Sequence, residues 1–346
     1  MRILQVERIM HSDRAGARLP HEQRYANGAA FVNGIYTPVA EATIPILDMG
    51  FLQSDAVYEK VTVAKGRYFR MQDHFERFAN SCRKFCLRNP YSSEQMVQIF
   101  SHLLSLTGLQ DAGVFWCVTR GLARKVSDRG NPDCFENRFY AIVDGYGSIA
   151  TEEQRNRGLD LMVSRRYLRI DPRAVDAHAK NFHWMDMKLA LFEAREHGKD
   201  WAVLTDADGF LTEAPGANIF VIKNGALYTP DSGCLEGITA RSAIELAQML
   251  GVDVHVARVH ADELRQADDA FITSSAGGIM PINRVDGIVL GGVEGPGELS
   301  VRIHNLYWEK LWEGWKCTAV NYASAAQPHM AQRSTFASPP SHLDDV

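Results

Sequence analysis

The apolar periodicity of the chain breaks at "VDGYGSIATEEQ", residues 143–154, where alternation is lost and glycines enter. That break divides the sequence into two halves of different pattern. Before it, strand-like runs recur at "AAFVNGIY", "VYEKVTVA", "GVFWCVT" and "RFYAIV", the first with an Asn-Gly turn signal. Between them lie two helical patterns, "MQDHFERFANSCRKFCL" and "SSEQMVQIFSHLLSLTGL". In the second, Ser92 and Gln95 make a capping box and Met96, Phe100, Leu103 and Leu104 an apolar face. After the break, strands read at "LDLMVSR", "WAVLT", "NIFVI", "DVHVARV" and "DAFITS", and helices at "ARSAIELAQML" and "PGELSVRIHNLYWEKLW". Runs of strands without regular βαβ units give a mixed α+β class. The expected division is an N-terminal extension (1–28), a small α/β domain (29–146), a larger domain (147–322) and a disordered tail (323–346).

Composition excludes several classes. A chain of 346 residues with 46% apolar content is long enough for two packed domains. The formal net charge of -5 and the lack of a long basic run argue against nucleic acid or an anionic membrane as partner. No apolar stretch approaches the ~18 residues of a membrane span. Charges interrupt the short apolar stretches at the N-terminus, so it reads as a poor signal peptide. The six cysteines are scattered, and are expected to be reduced in a cytoplasmic protein with no zinc site.

Four stretches carry candidate chemistry. In "HAKNFHWMDM", Lys180 sits just ahead of a helix among bulky apolar neighbours. It is either a surface lysine, or a buried amine whose lowered pKa frees it to form a Schiff base. In "EGITARS", Gly237 leads into Ile238 and Thr239 at a helix start, where free N–H groups attract phosphate; Thr239 as a plain N-cap is the alternative. In "TSSAGGIMP", small residues and the hydroxyls of Ser274 and Ser275 suit a ligand or an ordinary strand-end turn. In "DADGFLTEAPGANIFVI", Asp208-Gly209 is a hairpin-type turn, and Glu213 in the next strand faces either solvent or a protonated ring nitrogen. The glycine comes too early for an EF-hand. There is no G-x-S-x-G elbow, H-E-x-x-H or P-loop.

Taken in order, "DHFERF", "AKNFHW", "LTEAPGANIF" with "EGITARS", and "TSSAGGIMP" resemble the class IV (fold type IV) pyridoxal-phosphate-dependent aminotransferases, over roughly residues 29–320. Each motif is modest alone; the ordered set is specific. The resemblance implies a two-domain fold with pyridoxal 5′-phosphate between the domains. It implies that Lys180 carries the Schiff base and shuttles the substrate proton, and that Glu213 pairs with the pyridinium nitrogen. Arg77 would fork onto the phosphate. The N–H groups of Ile238 and Thr239, the Thr239 hydroxyl, Ser274 and Ser275 would complete the cup, with Asn218 supporting the glutamate strand. It further implies a homodimer acting on small amines or amino acids and 2-oxo acids.

Within that family, "LDMGFLQSDAVY" and "KNFHWMDM" resemble the (R)-selective amine transaminases, and "VYEKVTV" resembles a D-amino-acid aminotransferase strand. Branched-chain aminotransferases resemble the chain less, and an aminodeoxychorismate-type lyase or a non-catalytic relative is the alternative. The pocket residues implied are Tyr58, Lys60, Phe115, Ala276 and, from the 119–130 loop, Arg124, Lys125 and Arg129. There are departures. Gln53 stands where the amine transaminases carry histidine, and Lys60 where the family commonly has valine. Lys125 and Ser127 replace the Arg-x-His pair of the D-amino-acid enzymes, and Val126 stands near the point where the amine transaminases place a mobile arginine. By period-2 alternation Lys60 shares the face of Tyr58. The preferred substrate is thus expected to be an (R)-amine or a D- or β-amino acid, with an acceptor such as pyruvate.

Overall fold

The computed structural model describes residues 2–6, 10 and 18–323. The first half builds a sheet from β1 (Ala29–Val32), β2 (Ile35–Pro38), β3 (Ala56–Ala64), β4 (Arg67–Phe69), β5 (Ala112–Ala123) and β6 (Phe135–Gly145). With β15 (Cys317–Ala319) it forms seven strands in the order β15-β4-β3-β5-β6-β1-β2, every neighbouring pair antiparallel. The Asn-Gly turn between β1 and β2 has positive φ at both residues, the conformation that matches strand twist in a two-residue hairpin. Helix α1 (Met49–Gln53) precedes β3, and α2 (Met71–Lys84) and α3 (Ser93–Thr107) pack on the sheet. Ser92 and Gln95 close the expected capping box on α3. Trp116, fully buried at the centre of this core, meets Phe75, Phe78 and Phe100 edge-on or tilted.

The second half supplies β7 (Leu159–Val163), β8 (Trp201–Val203), β9 (Asn218–Lys223), β10 (Ala226–Thr229), β11 (Val254–Val256), β12 (Asp269–Ser274), β13 (Gly278–Val285) and β14 (Ile288–Val289). They run β11-β10-β9-β12-β13-β7-β8, with β14 paired to β13. This sheet is mixed: β10 with β11, β13 with β7, and β7 with β8 are parallel. Its helices are α4 (Glu152–Arg157), α5 (Met185–Glu196), α6 (Ile238–Met249), α7 (Ala261–Arg265) and α8 (Glu298–Glu313). Central strands of the sheet are apolar without alternation because both faces are covered.

Several expectations change. The run from Leu159 leaves the sheet after Val163, and residues 164–184 have no regular structure. The cause is Glu193 of α5, a buried carboxylate that takes the Ser164 hydroxyl at 2.6 Å and the Arg165 N–H at 3.2 Å and so turns the chain out of the strand. Glu213 lies in an extended segment, not a strand; its carbonyl accepts the Leu204 N–H at 3.0 Å. The N-terminal extension is partly docked: Ile3, Val6 and Met10 are buried, and the Leu4 N–H donates to Asn305 on α8 at 2.7 Å. At the other end β15 crosses back to pair with β4, so the chain that builds the second sheet also closes the edge of the first. From residue 324 on, the expected disordered tail lies outside the described residues.

Candidate active site

Lys180 is fixed by its backbone from two directions. Its carbonyl accepts the Tyr58 N–H of β3 at 2.9 Å, and its own N–H donates to Ser81 Oγ of α2 at 3.0 Å. Val57 and Asn181 form an isolated bridge beside it, and Asn181 Oδ1 accepts the His183 N–H at 2.9 Å, closing a local turn. An irregular stretch thus behaves as an extra strand edge on the first sheet. From this anchor the side chain enters a cavity lined by residues of both halves. Its Nζ lies 4.4 Å from the Tyr58 ring centroid. Tyr58 stacks on Phe115 at 5.4 Å and on Phe182 at 5.1 Å, with Trp184 tilted against it. Burial, then the Arg77 charge, push the Lys180 pKa down to about 8, against the pull of Glu59 and Glu213. Roughly a tenth of the amine is therefore free base at pH 7, far more than for an ordinary lysine.

One end of the cavity is built for an anion. Helix α6 begins at Ile238 behind Gly237, with no side chain capping its first turn, so its leading N–H groups are open to the cavity. Gly237 is required by a close approach: a Cβ there would sit 1.9 Å from Asn218 Oδ1. Asn218 in turn donates to the Leu235 carbonyl at 2.7 Å, tying the loop to β9. Thr239 is buried, with Tyr307 of α8 hydrogen-bonded to it. Ser274 and Ser275 line the same end, and the Ser275 carbonyl accepts the Thr62 hydroxyl of β3 at 2.9 Å. Arg77 reaches over from α2. Its Nε and Nη2 donate to Glu59 at 2.7 and 2.8 Å, and its Nη1 to the Glu236 carbonyl at 2.9 Å. Glu59 is wholly buried and also bonds His74 at 2.7 Å. Burial alone would raise the Glu59 pKa, but Arg77 and His74 outweigh it and hold the carboxyl at about 2.

At the other end stands Glu213, buried, accepting Arg169 Nε at 2.9 Å and the Leu235 N–H at 3.3 Å. Tyr58, Arg77, Lys180, Glu213, Ile238, Thr239, Ser274 and Ser275 therefore line one cavity. Phe115 stands behind Tyr58 in the aromatic stack. Ala276 forms the adjoining turn, its carbonyl taking the Ile149 N–H at 2.9 Å. Lys60 shares the Tyr58 face of β3, but its side chain crosses Gly113 toward Asp144: a Cβ on Gly113 would lie 2.8 Å from Lys60 Cε and 3.2 Å from Asp144 Oδ1. Arg124, Lys125 and Arg129 are exposed on the loop between β5 and β6, outside the cavity lining.

Residues 56–285 match the family model described as amino-transferase class IV. The chain belongs to this family. A putative branched-chain-amino-acid aminotransferase of Methanocaldococcus jannaschii is 30% identical over 277 residues, covering 79% of this chain and 93% of the relative. A D-alanine aminotransferase of Listeria monocytogenes is 28% identical over 289 residues, covering 81% and 95%. Among solved structures, a T.th. branched-chain amino acid aminotransferase with pyridoxamine 5′-phosphate superposes with a TM-score of 0.77 at 27% identity, covering 85% of this chain and 99% of that one.

The cofactor expected from a class IV aminotransferase motif set fits the residues present. The Thr273 hydroxyl lines the cavity, buried and without a hydrogen-bond partner among the described residues, next to Ser274 and the open turn of α6. A buried orphan of this kind calls for a polar guest. One cavity brings together a donor-rich cup, a primary amine and a carboxylate, groups that suit a phosphate, a carbonyl and a ring nitrogen. Three polar residues escaped the sequence reading. Glu59 had a usable signal: His74 and Arg77 stand three apart on one face of α2, opposite a strand bearing one inward carboxylate. Arg169 and Thr273 had none, because their partners are remote in sequence.

The lowered Lys180 pKa has a kinetic consequence in the apoprotein. Capture of pyridoxal phosphate should accelerate as pH rises through about 8, because only the free amine attacks a carbonyl. Visible absorbance after rapid mixing reads this rate. A midpoint near the ordinary lysine value of ~10.4 would show that the cavity does not perturb the amine.

Proposed function

We propose that the protein moves an amino group from an (R)-amine or a D- or β-amino acid to a 2-oxo acid such as pyruvate. It is a pyridoxal-phosphate-dependent aminotransferase of class IV. The observation that carries the chemistry is the placement of a partly deprotonated Lys180 amine between an anion cup and a buried carboxylate in one aromatic-walled cavity. The bound cofactor supplies an electrophilic carbonyl and an electron-withdrawing ring. The chain supplies the rest. Arg77, Thr239 and the first N–H groups of α6 would hold the phosphate. Lys180 Nζ, steered by a backbone pinned to β3 and α2, takes and returns the substrate proton. Glu213 would offer negative charge to the ring nitrogen. Tyr58, Phe182 and Trp184 shield the reacting atoms from water.

The donor class rests on the cavity wall and on β3. Tyr58 and Trp184 give the cavity an aromatic wall suited to an arylalkyl group, and Phe115 and Phe182 stack on Tyr58 to hold it. Lys60 adds a cation on the same strand face. Asp144 lies near enough to attract it, yet no ion pair within 4.0 Å joins them, and burial keeps the Asp144 pKa above its ordinary value. That leaves Lys60 able to meet a substrate carboxylate, with Arg124, Lys125 or Arg129 of the loop as helpers. A cytoplasmic homodimer is the assembly proposed. Ile44, Ile46, Leu47, Phe51 and Leu52 are all exposed in one stretch around α1, which favours burial against a second copy. Sedimentation at one chain mass, with full activity, would remove that part of the reading.

Borohydride treatment of the holoprotein followed by peptide mapping should place a pyridoxyl group on Lys180, and Lys180→Ala should abolish it without unfolding. Labelling of another lysine would overturn the assignment. A donor screen on the same preparation separates the alternatives. A transaminase converts its cofactor to the amine form without added oxo acid, a lyase releases pyruvate, and a preference for L-leucine or L-valine would favour the branched-chain reading.

For Lys60, the variant Lys60→Val should raise KM for carboxylated donors and spare or improve neutral (R)-amines. Equal responses in both donor classes would make Lys60 a structural partner of Asp144 instead.

A further inference from the structure

Behind Glu213 lies a chain of three charges. Arg169 Nε donates to Glu213 Oε1 at 2.9 Å, and Arg169 Nη1 donates to Asp186 Oδ2 at 2.6 Å. Asp186, in the first turn of α5, is itself held by the N–H groups of Ile170 and Met187, both at 2.8 Å. The Arg169 N–H donates to the Thr205 carbonyl at 2.9 Å, so backbone and guanidinium are both fixed. Only 5% of the Arg169 side chain is exposed, and that part faces the cavity. A buried guanidinium in such a position is either a structural ion pair or a device acting on the carboxylate it touches.

We propose that Arg169, anchored by Asp186, is a positioning residue that keeps Glu213 ionised and aimed at the cofactor's ring nitrogen. The inference rests on the reading of Glu213 as the partner of that nitrogen. A carboxylic acid and a pyridine in a dry cavity share one proton, and low dielectric favours the neutral arrangement, with the proton on the acid. A permanent cation beside the carboxylate opposes that preference and favours the proton on the ring, although burial still leaves the Glu213 pKa above its ordinary value. Burial pushes the Glu213 pKa up, and Arg169 is the largest influence opposing it. The other groups facing Glu213 cannot take over that task. Lys180 also opposes the rise, but its amine is the reacting group and its charge changes during turnover. Cys234 and Tyr58 are neutral, buried groups whose own ionisation Glu213 further disfavours. Arg169 cannot lose its proton. Its occupation of Oε1, with the Leu235 N–H on Oε2, also fixes the carboxylate plane.

The test is nitrogen-15 NMR of the holoprotein reconstituted with ring-labelled pyridoxal phosphate, which reports ring protonation directly. Native protein should give a pyridinium signal. Arg169→Met should move it to the neutral pyridine position and slow half-transamination on the order of 10²-fold, the usual size of a lost electrostatic contact at a reacting centre. Arg169→Lys retains a cation and should keep the pyridinium signal. Asp186→Asn loosens the cluster but leaves the guanidinium charge, so it too should keep the signal; loosening alone would move both. Should Arg169→Met fold poorly, Arg169→Gln carries the same test. Glu213→Gln separates the two readings. If it leaves the ring protonated, the Glu213 assignment fails. If it deprotonates the ring while Arg169→Met and Arg169→Gln do not, Arg169 is a structural ion pair and this inference alone is overturned.

Discussion

The hydrogen bond from the Tyr58 N–H to the Lys180 carbonyl joins a strand of the first sheet to an irregular loop of the second half, and the site hangs from it. Without this bridge, residues 164–184 would have no regular partner near the lysine. With it, the Lys180 Cα is placed relative to every residue of β3. Alternation along that strand then does two jobs. Tyr58, Lys60 and Thr62 share one face, where Tyr58 packs against the lysine amine and Thr62 ties down the serine turn. Glu59 faces the opposite way, into α2, where it holds His74 and Arg77. One strand thus fixes both Lys180 and, through a carboxylate, Arg77.

Around the cavity, the buried carboxylates and guanidinium groups are paired with opposite sign. Glu59 answers Arg77, and Arg169 stands between Glu213 and Asp186. Lys180 lacks a carboxylate within ion-pair distance among the described residues, and it is the group whose proton affinity burial has lowered. The contrast follows from desolvation. Burial disfavours the charged form of each of these groups, and a fixed partner of opposite sign opposes that, most fully for Glu59. Lys180 has no such partner, and the Arg77 charge adds to the effect of burial on its amine. The Thr273 hydroxyl is a further buried polar atom without a hydrogen-bond partner among the described residues.

Local chemistry was legible in the sequence, and remote pairing was not. The Asn33-Gly34 hairpin and the Ser92–Gln95 capping box depend on residues one to three apart, and both stand as read. The family resemblance of the ordered motifs, and not a local signal, singled out Arg77 in the middle of α2 along with Lys180, Glu213 and Thr239, and these line one cavity. The apolar run from Leu159 misled because apolar alternation continues past the point where Glu193, distant in sequence, captures the chain. Arg169 looked like one arginine among several in "RRYLRI", and its neighbours Arg165 and Arg166 face outward. Burial alone distinguishes it. The return of β15 to the first sheet has the same character: three residues of weak pattern acquire an address only when β4 offers an open edge.

Lys60, Arg124, Lys125 and Arg129, the proposed substrate contacts, stand outside the cavity lining, and such positions are where members of one fold can diverge. The cofactor end is closed on itself, with Asn218 against Gly237 and Tyr307 against Thr239, so a substitution there disturbs several contacts together. At the substrate end, Lys60 lies across a strand whose Gly113 leaves room for it, near an Asp144 that does not close an ion pair. Arg124, Lys125 and Arg129 sit on an exposed loop. Side chains placed this way can change identity without disturbing the core, because no buried charge is left uncompensated when they go. A scaffold with a locked cofactor end and an unlocked substrate end can keep its chemistry constant while its donor preference moves, which is the pattern expected of a chain whose relatives bear both branched-chain and D-alanine aminotransferase names.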